Sequence, residues 1–124
     1  MADIIDIDLY RHTFVALDQF NFHQKISETE NIAIAMFEKQ GCSSCHHWKK
    51  LLYDYKNDHS NTDLFIVDAE SEAALAQEFD IFHLPALFLY KAGVFHSELQ
   101  CEGKQSCLKQ TITERLNAPP NEAP

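Results

Sequence analysis

Two stretches of this chain are apolar at every position, Ile32-Ala33-Ile34-Ala35-Met36-Phe37 and Leu64-Phe65-Ile66-Val67. Runs without polar alternation are the pattern of strands covered on both faces of a sheet. Residues 86–90, the turn-like Lys91-Ala92-Gly93 and then Val94-Phe95 read as a hairpin. Between the first two runs the period changes. Cys45, Trp48, Leu52 and Tyr55 recur three to four residues apart, which predicts a helix over 45–56.

The remaining segments are shorter. Thr13-Phe14-Val15-Ala16 reads as a short strand, and Asp18 as the N-cap of a helix carrying Phe22 and Ile26 on one face. Residues 71–79 predict a short helix with Ala74, Leu75 and Phe79 inward. Leu108, Ile112 and Leu116 mark the inner face of a last helix. Residues 27–31 and 57–62 are polar loops, and 80–85 is a connection through which Pro85 forbids a central strand. Strands alternating with helices imply parallel pairing with crossovers, and the hairpin adds antiparallel strands. The expected fold class is therefore α/β, with a central mixed sheet of four to five strands flanked by helices. Residues 1–12 read as an acidic N-terminal extension, 13–117 as one domain and 118–124 as a flexible tail holding three of the four prolines.

Composition narrows the function. With 124 residues, 45% of them hydrophobic and nine of them Phe, the chain can bury a core without staples. Nineteen acidic against ten basic residues give a net charge of −9, which argues against nucleic acid or an anionic membrane surface as partner. No window approaches the roughly 18 apolar residues of a membrane span. Met1 to Asp6 lacks a basic region followed by an apolar stretch, so the expected location is the cytoplasm. A close Cys pair there is more often catalytic or metal-binding than structural.

That pair lies in Gly41-Cys42-Ser43-Ser44-Cys45-His46-His47-Trp48, where the first apolar run hands over to the helix. Free N–H groups and the positive dipole end at a helix start favour an anion, so Cys42 is expected to ionise more easily than an ordinary thiol. Cys45, one turn in, is expected to be shielded. Both suit dithiol–disulfide exchange. Two other chemistries fit parts of the motif. Cys42-Ser43-Ser44-Cys45-His46 matches the C-x-x-C-H haem pattern, but haem attachment goes with export and small cytochromes are mostly helical. Zinc needs four ligands, drawn from Cys42, Cys45, His46 or His47, and Cys101 or Cys107, without a second closely spaced pair. The expectation is no metal and no bound cofactor.

Several motifs in order resemble the thioredoxin family over about residues 13–117. Cys42-x-x-Cys45 follows the first buried run, and Asp68 closes the second. Leu84-Pro85-Ala86 lies where that family carries a cis-proline loop, and Lys91-Ala92-Gly93 resembles its hairpin turn. The resemblance implies a thiol–disulfide oxidoreductase acting on protein or small-molecule disulfides and served by a reductase. Cys42 is then the attacking thiolate and Cys45 the resolving thiol. Leu84 and a cis Pro85 hold an extended substrate by strand addition. The departures are Gly41 for the family's Trp, Ser43-Ser44 for Gly-Pro, Met36 for its buried acid and Glu38 for the Trp at that strand's exit. Glu38 and His46 are consequently auxiliary candidates, as substitute base or thiolate partner. Cys101 is a third thiol that the resemblance sets at the edge of the substrate surface. Cys107, like His83 before Pro85, has a solvated or unrelated role as its simplest reading. The non-enzymatic alternative is an interaction or redox-sensing module with the same fold and no turnover.

Overall fold

The computed structural model describes residues 12–124, so most of the expected N-terminal extension lies outside the described residues. Their elements follow in the order β1 (Phe14–Ala16), α1 (Phe22–Ser27), β2 (Ile32–Glu38), α2 (Ser43–Asp58), β3 (Asp63–Asp68), α3 (Ala73–Glu78), β4 (Ala86–Lys91), β5 (Val94–Leu99) and α4 (Gln105–Asn117). One five-stranded sheet results, in the order β1-β3-β2-β4-β5. β3 pairs parallel with both β1 and β2, whereas β4 is antiparallel to β2 and to β5. The two fully apolar runs thus become the inner strands, where each face must be covered.

Strand alternation divides the core into two layers. Ile34 and Met36 of β2 face α2 and α4, among Cys45, Leu52, Leu64, Leu87, Leu89, Leu108 and Ile112. Ala33, Ala35 and Phe37 face the other way, toward α1 and α3, among Phe22, Phe65, Leu75, Phe79, Phe88 and Tyr90. That second layer is aromatic. Phe79 sits with ring centroids 4.9 Å from Phe88 and 5.3 Å from each of Phe22 and Phe37, in tilted or edge-on arrangements. Rings prefer such geometries because edge hydrogens meet the negative faces of their neighbours.

Three local expectations are corrected. Asn21, not Asp18, occupies the N-cap of α1. The Asp18 carboxylate instead accepts the N–H groups of Phe20 and Asn21, and the Asn21 side chain accepts the Asp18 N–H. Asx side chains favour such a turn over helix propagation, so the helix starts later. Leu75 in α3 and Phe79 at its C-cap point inward but Ala74 is exposed, because one short helix offers the sheet only a narrow stripe. The Cys-bearing helix extends two residues further at each end than the apolar spacing marks. The tail 118–124 has no regular secondary structure, and the Asn121 N–H donates to the His96 carbonyl at 2.8 Å.

The β4–β5 hairpin closes through Ala92 and Gly93, both at positive φ, 51° and 79°. A two-residue loop of this sign matches the right-handed twist of its strands. Gly93 also passes against the end of α1, where a Cβ would stand 2.6 Å from the Ser27 carbonyl oxygen. The Ala92 N–H donates to the Asn31 carbonyl at 2.9 Å. No helix among the described residues is long and apolar enough to cross a membrane.

Candidate active site

β2 ends at Glu38, and Gly41 takes the chain around at φ 77° before α2 begins. Cys42 is the N-cap of α2 with extended backbone, and its sulfur accepts the Cys45 N–H at 3.2 Å. The His46 N–H closes the first turn on the Cys42 carbonyl. Cys42 and Cys45 form a disulfide across a Cα separation of 5.2 Å, well inside the range such bonds span. The two sulfurs differ in access. Cys42 is half-buried, whereas Cys45 is 1% exposed within the layer that holds Met36, Leu52 and Leu108.

Behind Cys45 the surroundings are apolar. Met36 is fully buried, and its register partners are Ile66 on β3 and Leu87 on β4. Glu38, two residues on and on the same face, is half-buried and pairs with Lys49 of α2 at 2.7 Å. Lys49 follows Cys45 by four residues, so the ion pair stands one helical turn beyond the resolving sulfur.

The Leu84–Pro85 bond is cis, as the resemblance implies. Leu84 and Pro85 are half-buried, and Leu84 packs against both core layers. Pro85 lines a cavity of about 410 Å³ together with Trp48, Phe82, His83, Leu99 and Cys101. Phe82 stands 84% exposed at its mouth, and His83 is exposed beside it. Apolar residues in a connecting loop, Ile81 and Phe82, are the sequence signal for this surface. Trp48 is legible as helix face but not as cavity wall.

His46 is exposed on the first turn of α2. His47, assigned no role from sequence, bonds through Nε2 to the Gly103 carbonyl at 2.7 Å, tying the loop after β5 to the start of α2. A Cβ at Gly103 would meet that imidazole at 3.1 Å, so glycine gives the ring its room. Cys101 in this loop and Cys107 in the first turn of α4 are half-buried free thiols. Burial pushes the Cys101 thiol pKa up, and the nearby Cys107 and Glu102 push it further, against a hydrogen bond with the Thr111 side chain. No cluster of three or more His, Cys, Asp or Glu suited to hold a metal occurs among the described residues.

Solved structures share this architecture at low sequence identity. Mitochondrial thioredoxin 3 of Saccharomyces cerevisiae superposes with a TM-score of 0.73 at 16% identity, covering 86% of this chain and 98% of that one. Thioredoxin of Fasciola hepatica gives 0.71 at 16% identity, over 82% and 99% of the two chains. Oxidised thioredoxin of Plasmodium falciparum gives 0.68 at 20%, over 82% and 96%. Comparison with curated proteins yields no match. The Thioredoxin family model, by contrast, matches residues 13–114, from just before β1 into α4, with the Cys pair inside it. With its five-stranded mixed sheet, its disulfide at the head of α2 and a family match over most of its length, this chain belongs to the thioredoxin family.

Proposed function

We propose that the protein is a thiol–disulfide oxidoreductase of the protein-disulfide reductase type. The carrying observation is the asymmetry of the Cys42–Cys45 disulfide, with one sulfur accessible at a helix N-cap and its partner sealed in the core. In the reduced protein the N-terminal amides of α2 favour the Cys42 thiolate. Cys42 attacks a substrate sulfur, forming a mixed disulfide and releasing the first substrate thiolate. Cys45 then attacks Cys42, expelling the second substrate thiolate and closing the internal disulfide. An external reductase returns two electrons, and the chemistry uses no bound cofactor. The substrate chain lies along Leu84 and Pro85, its extended backbone pairing with that of Leu84 just ahead of β4. A reducing compartment suits this use of cysteine, and the cytoplasm is the location we assign to it.

Turnover with a model protein disulfide tests the reading. Cys42→Ser should abolish both turnover and covalent capture. Cys45→Ser should stall at a mixed disulfide on Cys42. Turnover surviving Cys42→Ser would refute the assignment. One observation favours a second reading, a sensing or interaction module without turnover: Met36, with Ile66 and Leu87 beside it in register, puts no proton acceptor behind Cys45. The reduction potential of the pair, measured alongside turnover, separates the two.

A further inference from the structure

Cys101 and Cys107 take no part in the exchange described above; one follows β5 and the other opens α4. Cys101 follows the end of β5, and the chain then doubles back in a tight turn, with the Lys104 N–H on the Glu102 carbonyl at 2.8 Å. α4 begins at Gln105, so Cys107 falls in its first turn and Thr111 one turn later on the same face. Both bear on the Cys101 thiol: a hydrogen bond with the Thr111 side chain favours its ionisation, and Cys107 opposes it. Neither cysteine is bonded, and both are half-buried.

The same loop is fastened to the redox helix. His47, two residues beyond Cys45, holds the Gly103 carbonyl at 2.7 Å. Cys101 shares a cavity wall with Trp48, one turn beyond Cys45, and with Pro85. Cys42, Leu84 and Cys101 all pack against the core layer that contains Cys45.

We propose that Cys101 and Cys107 are a second dithiol that accepts the disulfide from Cys42–Cys45 by intramolecular exchange, withdrawing oxidising equivalents from the first pair. This rests on the oxidoreductase reading of that pair. The Cys101 thiolate attacks Cys42 Sγ; the Cys42–Cys101 bond forms, the Cys42–Cys45 bond breaks, and Cys45 leaves as thiolate and takes a proton. The Cys107 thiolate then attacks Cys101 Sγ, and Cys42 leaves as thiolate. Cys101 and Cys107 end as a disulfide, two electrons and two protons having passed to Cys42 and Cys45. No outside oxidant enters.

The test starts from full-length protein oxidised only at Cys42–Cys45, freed of oxidant and held anaerobically, then acid-quenched, alkylated and mapped by mass spectrometry. Peptides bridged between Cys101 and Cys107 should appear at a first-order rate unchanged over a tenfold range of protein concentration. Cys45→Ser/Cys107→Ser, given oxidised glutathione, should accumulate a Cys42–Cys101 bridge, with far-UV circular dichroism checking the fold. If that variant forms a mixed disulfide with glutathione at Cys42 but no bridge to Cys101, the inference is overturned and the oxidoreductase reading stands. If Cys42 captures neither, both fall. Absence of the Cys101–Cys107 bridge in the wild type, or its appearance at a rate proportional to protein concentration, also overturns the transfer.

Discussion

The Glu38 carboxylate lies 2.7 Å from Nζ of Lys49, with both side chains largely withdrawn from solvent. The pair joins the exit of β2 to the second turn of α2, on the strand face that also carries Met36. When a mixed disulfide resolves, Cys45 must lose a proton in a pocket whose burial opposes thiolate formation. Met36 accepts none, and strand alternation puts the Glu38 carboxylate on the same face. Glu38→Gln should slow release of the mixed disulfide by about a hundredfold, the lower end of what a positioned acid–base group contributes. The first attack by Cys42 should keep its rate. Lys49→Met, which leaves the carboxylate but removes its partner, should shift the pH profile of release without abolishing it. Stopped-flow measurement of both steps decides, and equal release rates for wild type and Glu38→Gln eliminate Glu38.

The hairpin turn predicts opposite signs at adjacent positions. Ala92 holds φ at 51°, a region that costs an alanine about 1 kcal/mol or more. Asn adopts that conformation readily, and Asn-Gly is the favoured pair for such a turn. Ala92→Asn should therefore stabilise by about 0.5–1 kcal/mol. Gly93→Ala should destabilise by about 3 kcal/mol or more, since left-handed strain adds to a clash with the Ser27 carbonyl. Urea unfolding of the two variants checks both signs.

The aromatic layer carries stability rather than chemistry. Phe37 is fully buried against Phe22, Phe79 and Phe88, on the sheet face opposite Cys45. Phe37→Ala should cost about 3–5 kcal/mol, the usual range for truncating a buried ring. In whatever fraction remains folded, the reduction potential of the Cys42–Cys45 pair should be unchanged. A shifted potential at full folding would show that the two layers are coupled.

Cys101 supplies a pH dependence with a definite sign. Burial, then Cys107 and Glu102, raise its pKa, while Thr111 lowers it. A thiol whose folded pKa exceeds its unfolded value contributes stability below the ordinary thiol pKa, and that contribution is lost as pH rises through the raised value. Alkylation of Cys101 should accordingly show a midpoint above the usual thiol range. Cys107→Ser should bring that midpoint down and Thr111→Val should carry it up. Site-resolved alkylation against pH, with Cys42–Cys45 kept oxidised, reads all three.

Much of this was legible in residue order, for a physical reason. The runs 32–37 and 64–67 are apolar throughout because inner strands of a parallel sheet are covered twice, and local pattern alone reports that. The place of Cys42 at a strand-to-helix handover followed in the same way, since the helical period begins at Cys45. What escaped depends on partners distant in sequence or on competition between neighbours. His47 finds Gly103 only through the packing of α2 on the loop after β5. Glu38 could be placed on the Met36 face by alternation, but Lys49 enters from another element. Asp18 looks like a helix cap by residue type, and only the reciprocal bonds between Asp18 and Asn21 reveal a turn that delays the helix.

The division of β2 between two layers makes that strand a reading frame. Met36 backs the resolving sulfur only because its offset from Ile34 is even, and Phe37 joins the rings only because its offset is odd. One residue gained or lost within β2 would bring a phenyl ring behind Cys45 and aim Met36 at the aromatic layer. The phase is set before the strand begins, where Gly93 abuts the Ser27 carbonyl and the Ala92 N–H holds Asn31. The segment 27–31, polar and without redox chemistry of its own, is consequently held to its length by the hairpin turn packed against it.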